Sequence, residues 1–237
     1  VAFVFAERRA VEPVLPVWVF TRRLLLTTNV LGVAVGAALI GLTAYVPTYL
    51  VVGLGVSPLT AGLALATLTL GWPLSAALSG RLYLRIGFRA TAIIGASLVV
   101  VASAVLAMLA PHPSIALVAA TSFVMGLGFG FSSVPALVAA QSSVGWAERG
   151  VVTGSVMFAR SIGQAVGAAA LGAVANGVIA SLGGDESDPA TIVSAATAVF
   201  VGAAIVAVVL LAAAIAMPRD RIAPSAAAAA DEPPAVP

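Results

Sequence analysis

Two stretches of this chain, 24–80 and 90–147, contain no Asp, Glu, Lys or Arg. Soluble domains carry about 25% charged residues, and the whole chain here carries 8%. A soluble fold has no means of burying two such stretches. An apolar helix needs roughly 20 residues to cross about 30 Å of hydrocarbon. Each stretch therefore holds two spans and a short turn, and the charges at its borders mark where the chain returns to one side.

Extending the same reading predicts six helices, over 25–50, 59–80, 90–110, 114–139, 151–179 and 192–217. Turn residues punctuate them: Gly53, Gly55 and Ser57-Pro58, then Pro111-His112-Pro113, then Gly183, Gly184 and Asp188-Pro189. Pro47, Pro73 and Pro135 fall inside or near the ends of spans, where a membrane bundle tolerates them because neighbouring groups satisfy the freed carbonyls. The expected fold class is an all-α polytopic membrane protein. Residues 1–6 read as the last turns of an earlier span, so the chain reads as part of a longer protein, and no signal-peptide pattern opens it. Residues 7–23 read as a linker, either an ordinary loop or one lying along the membrane surface with Trp18 and Phe20 near the headgroups. Residues 24–217 form the six-span unit, and 218–237 an Ala/Pro-rich disordered tail.

The charges alternate by side. Arg8, Arg9, Arg22 and Arg23 precede the first span, and Arg81, Arg85 and Arg89 follow the second. Glu148 and Arg149 follow the fourth, and Arg219 and Arg221 follow the sixth. The intervening turns carry His112 or the acids Asp185, Glu186 and Asp188. Arg-bearing short loops favour the cytoplasm. The expectation is a multi-pass protein of the cell membrane with its C-terminus inside.

Several function classes are disfavoured. There is no Cys and one His, so thiol chemistry and an intramembrane metal site are not expected. The net charge of +2 is too small and too scattered for nucleic acid. No phosphate-binding Gly-Lys-Ser/Thr loop appears, and no His/Asp/Glu cluster supports an enzyme. No cofactor is expected.

Polar residues inside the spans are the site candidates. Arg160 is the one formal charge well inside a span, about 16 Å along a helix from Arg149. It reads either as a pathway residue or as a structural, snorkelling cation. Gln164 lies one turn later on the same face, and Asn29 lies in the first span. Gly32 and Gly36, and Gly163 and Gly167, have the four-residue spacing that lets helices approach closely in lipid. They read as static packing or as surfaces that slide during a transport cycle. Gly126, Gly128 and Gly130 cluster in the fourth span. Tyr45 and Tyr49, near the outer surface, read as interfacial anchors or as ligand contacts, and Trp146 as an interfacial anchor. Trp72 and Trp146 are expected near the ends of cytoplasmic turns.

The segment from Gly71 to Arg89 resembles the signature loop of the major facilitator superfamily. In that pattern a Gly is followed after eight residues by a second Gly. Three residues later come Asp, a basic residue, any residue, Gly, and two positions that are usually basic. Gly71, Gly80, Arg85, Gly87 and Arg89 match, Arg81 adds a further cation, and Leu84 and Phe88 depart from the Asp and from a basic position. Residues 5–16, 45–62 and 150–167 are similar to the linker, first outer hairpin and penultimate span of fourteen-span drug:proton antiporters of the EmrB/QacA type. The resemblance implies a six-helix bundle forming one half, the C-terminal one, of a facilitator fold. It implies alternating access, a small-molecule substrate held between two lobes, and export driven by protons. The other partners it implies are the lipid bilayer and the N-terminal half of the same polypeptide, which would supply the proton-carrying acids. Leu84 cannot make the contacts of the family's Asp: either this is a degenerate second-half copy of the loop, which fits better, or the gate relies on other contacts. Import or export of one metabolite by the same fold, and a non-transporting truncated component, are the competing expectations.

Overall fold

The computed structural model describes residues 18–112, 114–184 and 187–219. Six long helices run through it: α1 (Arg23–Leu54), α2 (Pro58–Ile86), α3 (Phe88–Leu109), α4 (Ile115–Ser142), α5 (Arg149–Ser181) and α6 (Pro189–Ala216). Each is long and apolar enough to cross a membrane. The described residues form an all-α bundle of six spans, as expected of a multi-pass membrane protein. The expected residues 1–17 and 220–237, with Pro113, Asp185 and Glu186, lie outside the described residues. A short helical turn, Trp18–Thr21, leads into α1 and buries Val19 against Leu25, Ala140, Val144 and Val152.

Local chemistry explains the helix ends. Ser57 accepts a hydrogen bond from the Thr60 amide at the start of α2, and Pro58 fills the first helical position, where no amide partner is lost. Asp188 and Pro189 repeat the device at the start of α6. Gly55 stops α1 in the left-handed conformation at φ 68°. Pro47, Pro73 and Pro135 stay inside continuous helices.

One boundary differs substantially from expectation. The predicted turn after the second span, 81–89, is helical from Arg81 to Ile86, and α3 begins at Phe88. The turn is Gly87 alone, at φ 91° and ψ 160°, a conformation that side-chain-bearing residues rarely adopt. Charges at Arg81 and Arg85 had signalled the membrane border, and the helix continues past it into the polar zone.

α1 and α4 form the centre. α1 packs chiefly on α5 and α6, and α4 chiefly on α2 and α3. The first three helices thus repeat the arrangement of the last three, in the opposite direction across the membrane, as inverted repeats do. α3 and α6 pack on each other on one side, and α2 and α5 flank the other. The core is anchored by Tyr49, Phe129 and Phe200, all fully buried.

Tyr49 is therefore not a surface anchor. Its ring meets Phe200 edge-on at 5.4 Å and its hydroxyl donates to the Ala110 carbonyl at 2.8 Å, tying the end of α1 to the end of α3. Tyr45 is half-buried beside α5 and α6. Trp146 is exposed, with the Arg149 guanidinium 5.0 Å from its ring. At the basic end, Arg23 donates to the Ala216 carbonyl at 3.2 Å and Arg89 to the Ile215 carbonyl at 2.6 Å. Two cations from α1 and α3 thus close the C-terminus of α6, where the helix dipole favours positive charge.

Candidate functional site

The geometry of the inner face begins with glycine. A methyl group on Gly32 would stand 3.1 Å from the Val156 carbonyl oxygen, and one on Gly36 would collide with the Arg160 carbonyl. From the other side, a methyl on Gly163 would collide with the Val33 backbone, and one on Gly167 would reach 2.7 Å from the Ala37 Cα. α1 and α5 therefore touch backbone to backbone. Gly71 and Gly126 bring α2 and α4 together in the same way, with Gly130 against Ser75 and the Trp72 carbonyl. Without Cβ atoms at these positions the dispersion contacts that hold helices in lipid run the length of both seams.

These seams place Arg160 and Trp72 on facing flanks. The Arg160 guanidinium sits 4.4 Å from the centre of the Trp72 ring, and that ring tilts against Phe129 of α4 at 5.4 Å. The pair spans from α5 to α2 across the α1–α4 centre. Trp72 is midway along α2, not at a helix end as expected. Sequence reasoning missed it as a site residue, although a Trp fourteen residues from either end of a span cannot serve as an interface anchor.

Arg160 has no carboxylate partner among the described residues. The described acids are Glu148, at the start of α5, and Asp188, at the start of α6 at the opposite end of the bundle. Twelve helical residues, about 18 Å, separate Arg160 from Glu148. An arginine at the centre of a membrane helix costs about 2.5–3.5 kcal/mol on insertion scales, and a desolvated cation–π contact returns about 2 kcal/mol. Trp72 alone does not cover that cost, which leaves a remainder of about 1 kcal/mol for another interaction to supply.

The other candidates are more dispersed. Gln164 is half-buried and follows Arg160 by one turn, its backbone packed near Gly36. Asn29 is buried in α1, donates to the Leu25 carbonyl at 2.8 Å, and leaves its own carbonyl oxygen without a partner. No hydrogen bond among the described residues connects it to Arg160. Gln141 of α4 donates to the Thr153 hydroxyl of α5 at 2.8 Å. Thr67 donates to the Ala119 carbonyl at 2.7 Å, a cross-link from α2 to α4. Arg81, Arg85 and Arg89 lie at the basic end, away from Arg160, and Gly80 has no close neighbouring helix. No cluster of three or more His, Cys, Asp or Glu that could hold a metal occurs among the described residues.

Six spans with inverted-repeat packing define a transporter-like half, and residues 4–168 match the Major Facilitator Superfamily. The chain belongs to that superfamily. The chain is similar to the "Multidrug transporter protein MdtP" of Bacillus subtilis (strain 168), 32% identical over 178 residues, which cover 74% of this chain and 32% of that protein. "Multidrug resistance protein 3" of the same organism is 29% identical over 182 residues, covering 75% of the chain and 35% of the relative. An uncharacterized MFS-type transporter of Mycobacterium tuberculosis (strain CDC 1551 / Oshkosh) is 28% identical over 173 residues, covering 73% and 25%. The chain thus spans about a third or less of the length of these relatives.

Proposed function

We propose that these six spans form one wall of a proton-coupled exporter of small amphipathic compounds, the other wall coming from further spans of the same polypeptide. Superfamily membership supports membrane transport; transport, its proton coupling and its drug-like substrates are together the proposal. The observation that carries it is the cation at Arg160, held on Trp72 at 4.4 Å with no acid inside any described span. A bundle that carries a cation and an aromatic face, but no proton-titrating carboxylate, suits substrate contact. Proton transfer then falls to acids elsewhere in the protein. The similarity to a protein named as a multidrug transporter supports drug-like compounds as the class of substrate. In this reading the Arg-rich end lies in the cytoplasm of the cell and the C-terminus with it, and the arrangement is that of a fourteen-span antiporter's second half.

The test is transport by the full-length protein in proteoliposomes with an imposed pH gradient and a panel of amphipathic cations, anions and neutral dyes. Gradient-dependent movement of several panel members, reduced about tenfold by Arg160→Gln at equal protein amount, is expected. Flux of one metabolite with no response to the panel would replace drug export by a dedicated carrier. Absence of any flux by a folded full-length protein would contradict the reading.

A further inference from the structure

At the Arg-rich end, a cavity of about 960 Å³ opens between the last turn of α2, the first turn of α3 and the ends of α4 and α6. Arg85, Arg89 and Arg219 line it, and no carboxylate does among the described residues. Arg85 and Arg219 make no hydrogen bond or ion pair among the described residues. Arg89 spends one terminal nitrogen on the Ile215 carbonyl, while its Nε is buried without a partner. The first turn of α3, from Gly87 to Ala90, also faces the cavity. The Gly87 amide donates to the Tyr83 carbonyl at 2.9 Å, but the amides of Phe88, Arg89 and Ala90 have no intrahelical acceptor and no side-chain cap closes them. Ser142 and Ser143 line the wall, but both donate their hydroxyls to carbonyls of α4. The available donors are thus three guanidinium groups and a helix N-terminus, a set suited to a phosphate.

The remaining lining is apolar. Leu84 is 80% exposed and Ile86 is 45% exposed, and both border the cavity beside Arg85. Tyr83 and Phe88 stack at 4.7 Å to form an aromatic wall. Leu84 thus sets an uncharged aliphatic surface next to Arg85 in a cavity ringed by arginine.

We propose that this cavity binds the phosphodiester headgroup of an anionic phospholipid, with Leu84 and Ile86 against its acyl chains. The phosphate lies among Arg85, Arg89, Arg219 and the first turn of α3. Basic pockets between helix ends at the cytoplasmic face suit such headgroups. This inference rests on the orientation given above and not on transport, so a lipid site and a failed transport assay are compatible outcomes.

The experiment uses full-length protein in detergent, with native mass spectrometry and thermal shift read during titration with phosphatidylglycerol, phosphatidylcholine or inorganic phosphate. Phosphatidylglycerol is expected to bind and stabilise where phosphatidylcholine does not. The Arg85→Gln/Arg219→Gln double variant is expected to weaken it about 25-fold, on the order of fivefold for each arginine. Leu84→Asp, a change at an exposed position that leaves packing intact, is expected to weaken it as well. Arg22→Gln, at the same end but outside the cavity, is expected to change binding by less than about twofold, since only the three lining arginines meet the headgroup. Protection by inorganic phosphate equal to that by phosphatidylglycerol would support the phosphate site with a soluble occupant. Equal binding of phosphatidylcholine, or equal losses in Arg22→Gln and the double variant, would overturn the proposal. Unchanged binding in both Leu84→Asp and the double variant would overturn it too.

Discussion

α2 and α5 differ from α3 and α6 in a way that lipid exposure alone does not produce. α2 and α5 are the least enclosed spans, with 28% and 22% of their most apolar window buried, against 44% and 39% for α3 and α6. Yet their mean hydropathy is only 1.5 each, while α3 reaches 2.6 and α6 reaches 2.9. A helix facing hydrocarbon gains from every apolar side chain it exposes. The two helices with the most exposed surface should then be the most apolar, and they are the least. α3 and α6 fit a lipid-facing role; α2 and α5 fit a boundary with water and with further protein. Arg160 and Trp72 lie on those two flanks, which gives the unpaired cation somewhere to face.

This contrast can be broken by substitution. The largest effect is expected on the enclosed side of α5. Gly163→Leu drives a side chain into the Val33 backbone, and overpacking a tight interface costs about 1–3 kcal/mol or more. Loss of folded protein in size-exclusion profiles is expected, whereas Ala165→Leu, on the exposed face, leaves the profile unchanged. An equal loss from both would mean that both faces of α5 are packed. Next comes the flank pair: Arg160→Gln and Trp72→Ala should each cut flux about tenfold, a barrier change of about 1.4 kcal/mol, while Val208→Ala on the lipid face of α6 leaves it within twofold. A smaller effect is expected at Tyr49→Phe. It deletes the bond to Ala110, and such bonds in membrane proteins average about 0.6 kcal/mol, so a melting shift of a few degrees is the expected reading.

The smallest effect concerns the start of α6. The Thr191 hydroxyl, then the Thr191 amide, hold the Asp188 carboxyl below the usual carboxylate range. A lowered pKa stabilises the fold fully above the ordinary value of about 4 and loses that contribution as pH falls through the lowered one. Protection of the first-turn amides of α6 from hydrogen exchange, taken relative to the intrinsic rate at each pH, should therefore fall in acid below about pH 4. Asp188→Asn should remove most of that pH response, and a response of the same size in the variant would assign it elsewhere.

Much of the fold was legible because a membrane imposes it. A stretch without charge must be helical and must cross, so the runs 24–80 and 90–147 fixed four spans before any propensity was weighed. Ser57-Pro58 and Asp188-Pro189 marked two starts for a local reason, the side-chain cap. The turn at Gly87 was harder to read, because charge reports depth in the membrane and says nothing of where a helix ends. Arg81 and Arg85 simply continue α2 into the polar zone. Tyr49 misled for a related reason: position near a span end suggests an interface, but only packing reveals that Phe200 and Ala110 enclose it. Arg160 stood out as a lone charge. Its partner Trp72 lies 88 positions earlier in the chain, and no local pattern connects a residue of α2 to one of α5.

Cysteine labelling tests the contrast between the flanks most directly, since these residues contain no native cysteine. In the full-length protein in membrane vesicles, Thr69→Cys on α2 and Ser161→Cys on α5, exposed positions near Trp72 and Arg160, are set against Val101→Cys on α3 and Ile205→Cys on α6. Reaction of the first two with a charged, water-soluble maleimide, and no reaction of the second two, is the predicted result. Equal silence at all four positions would place α2 and α5 in lipid like α3 and α6, and would contradict a water-lined wall built on Arg160 and Trp72.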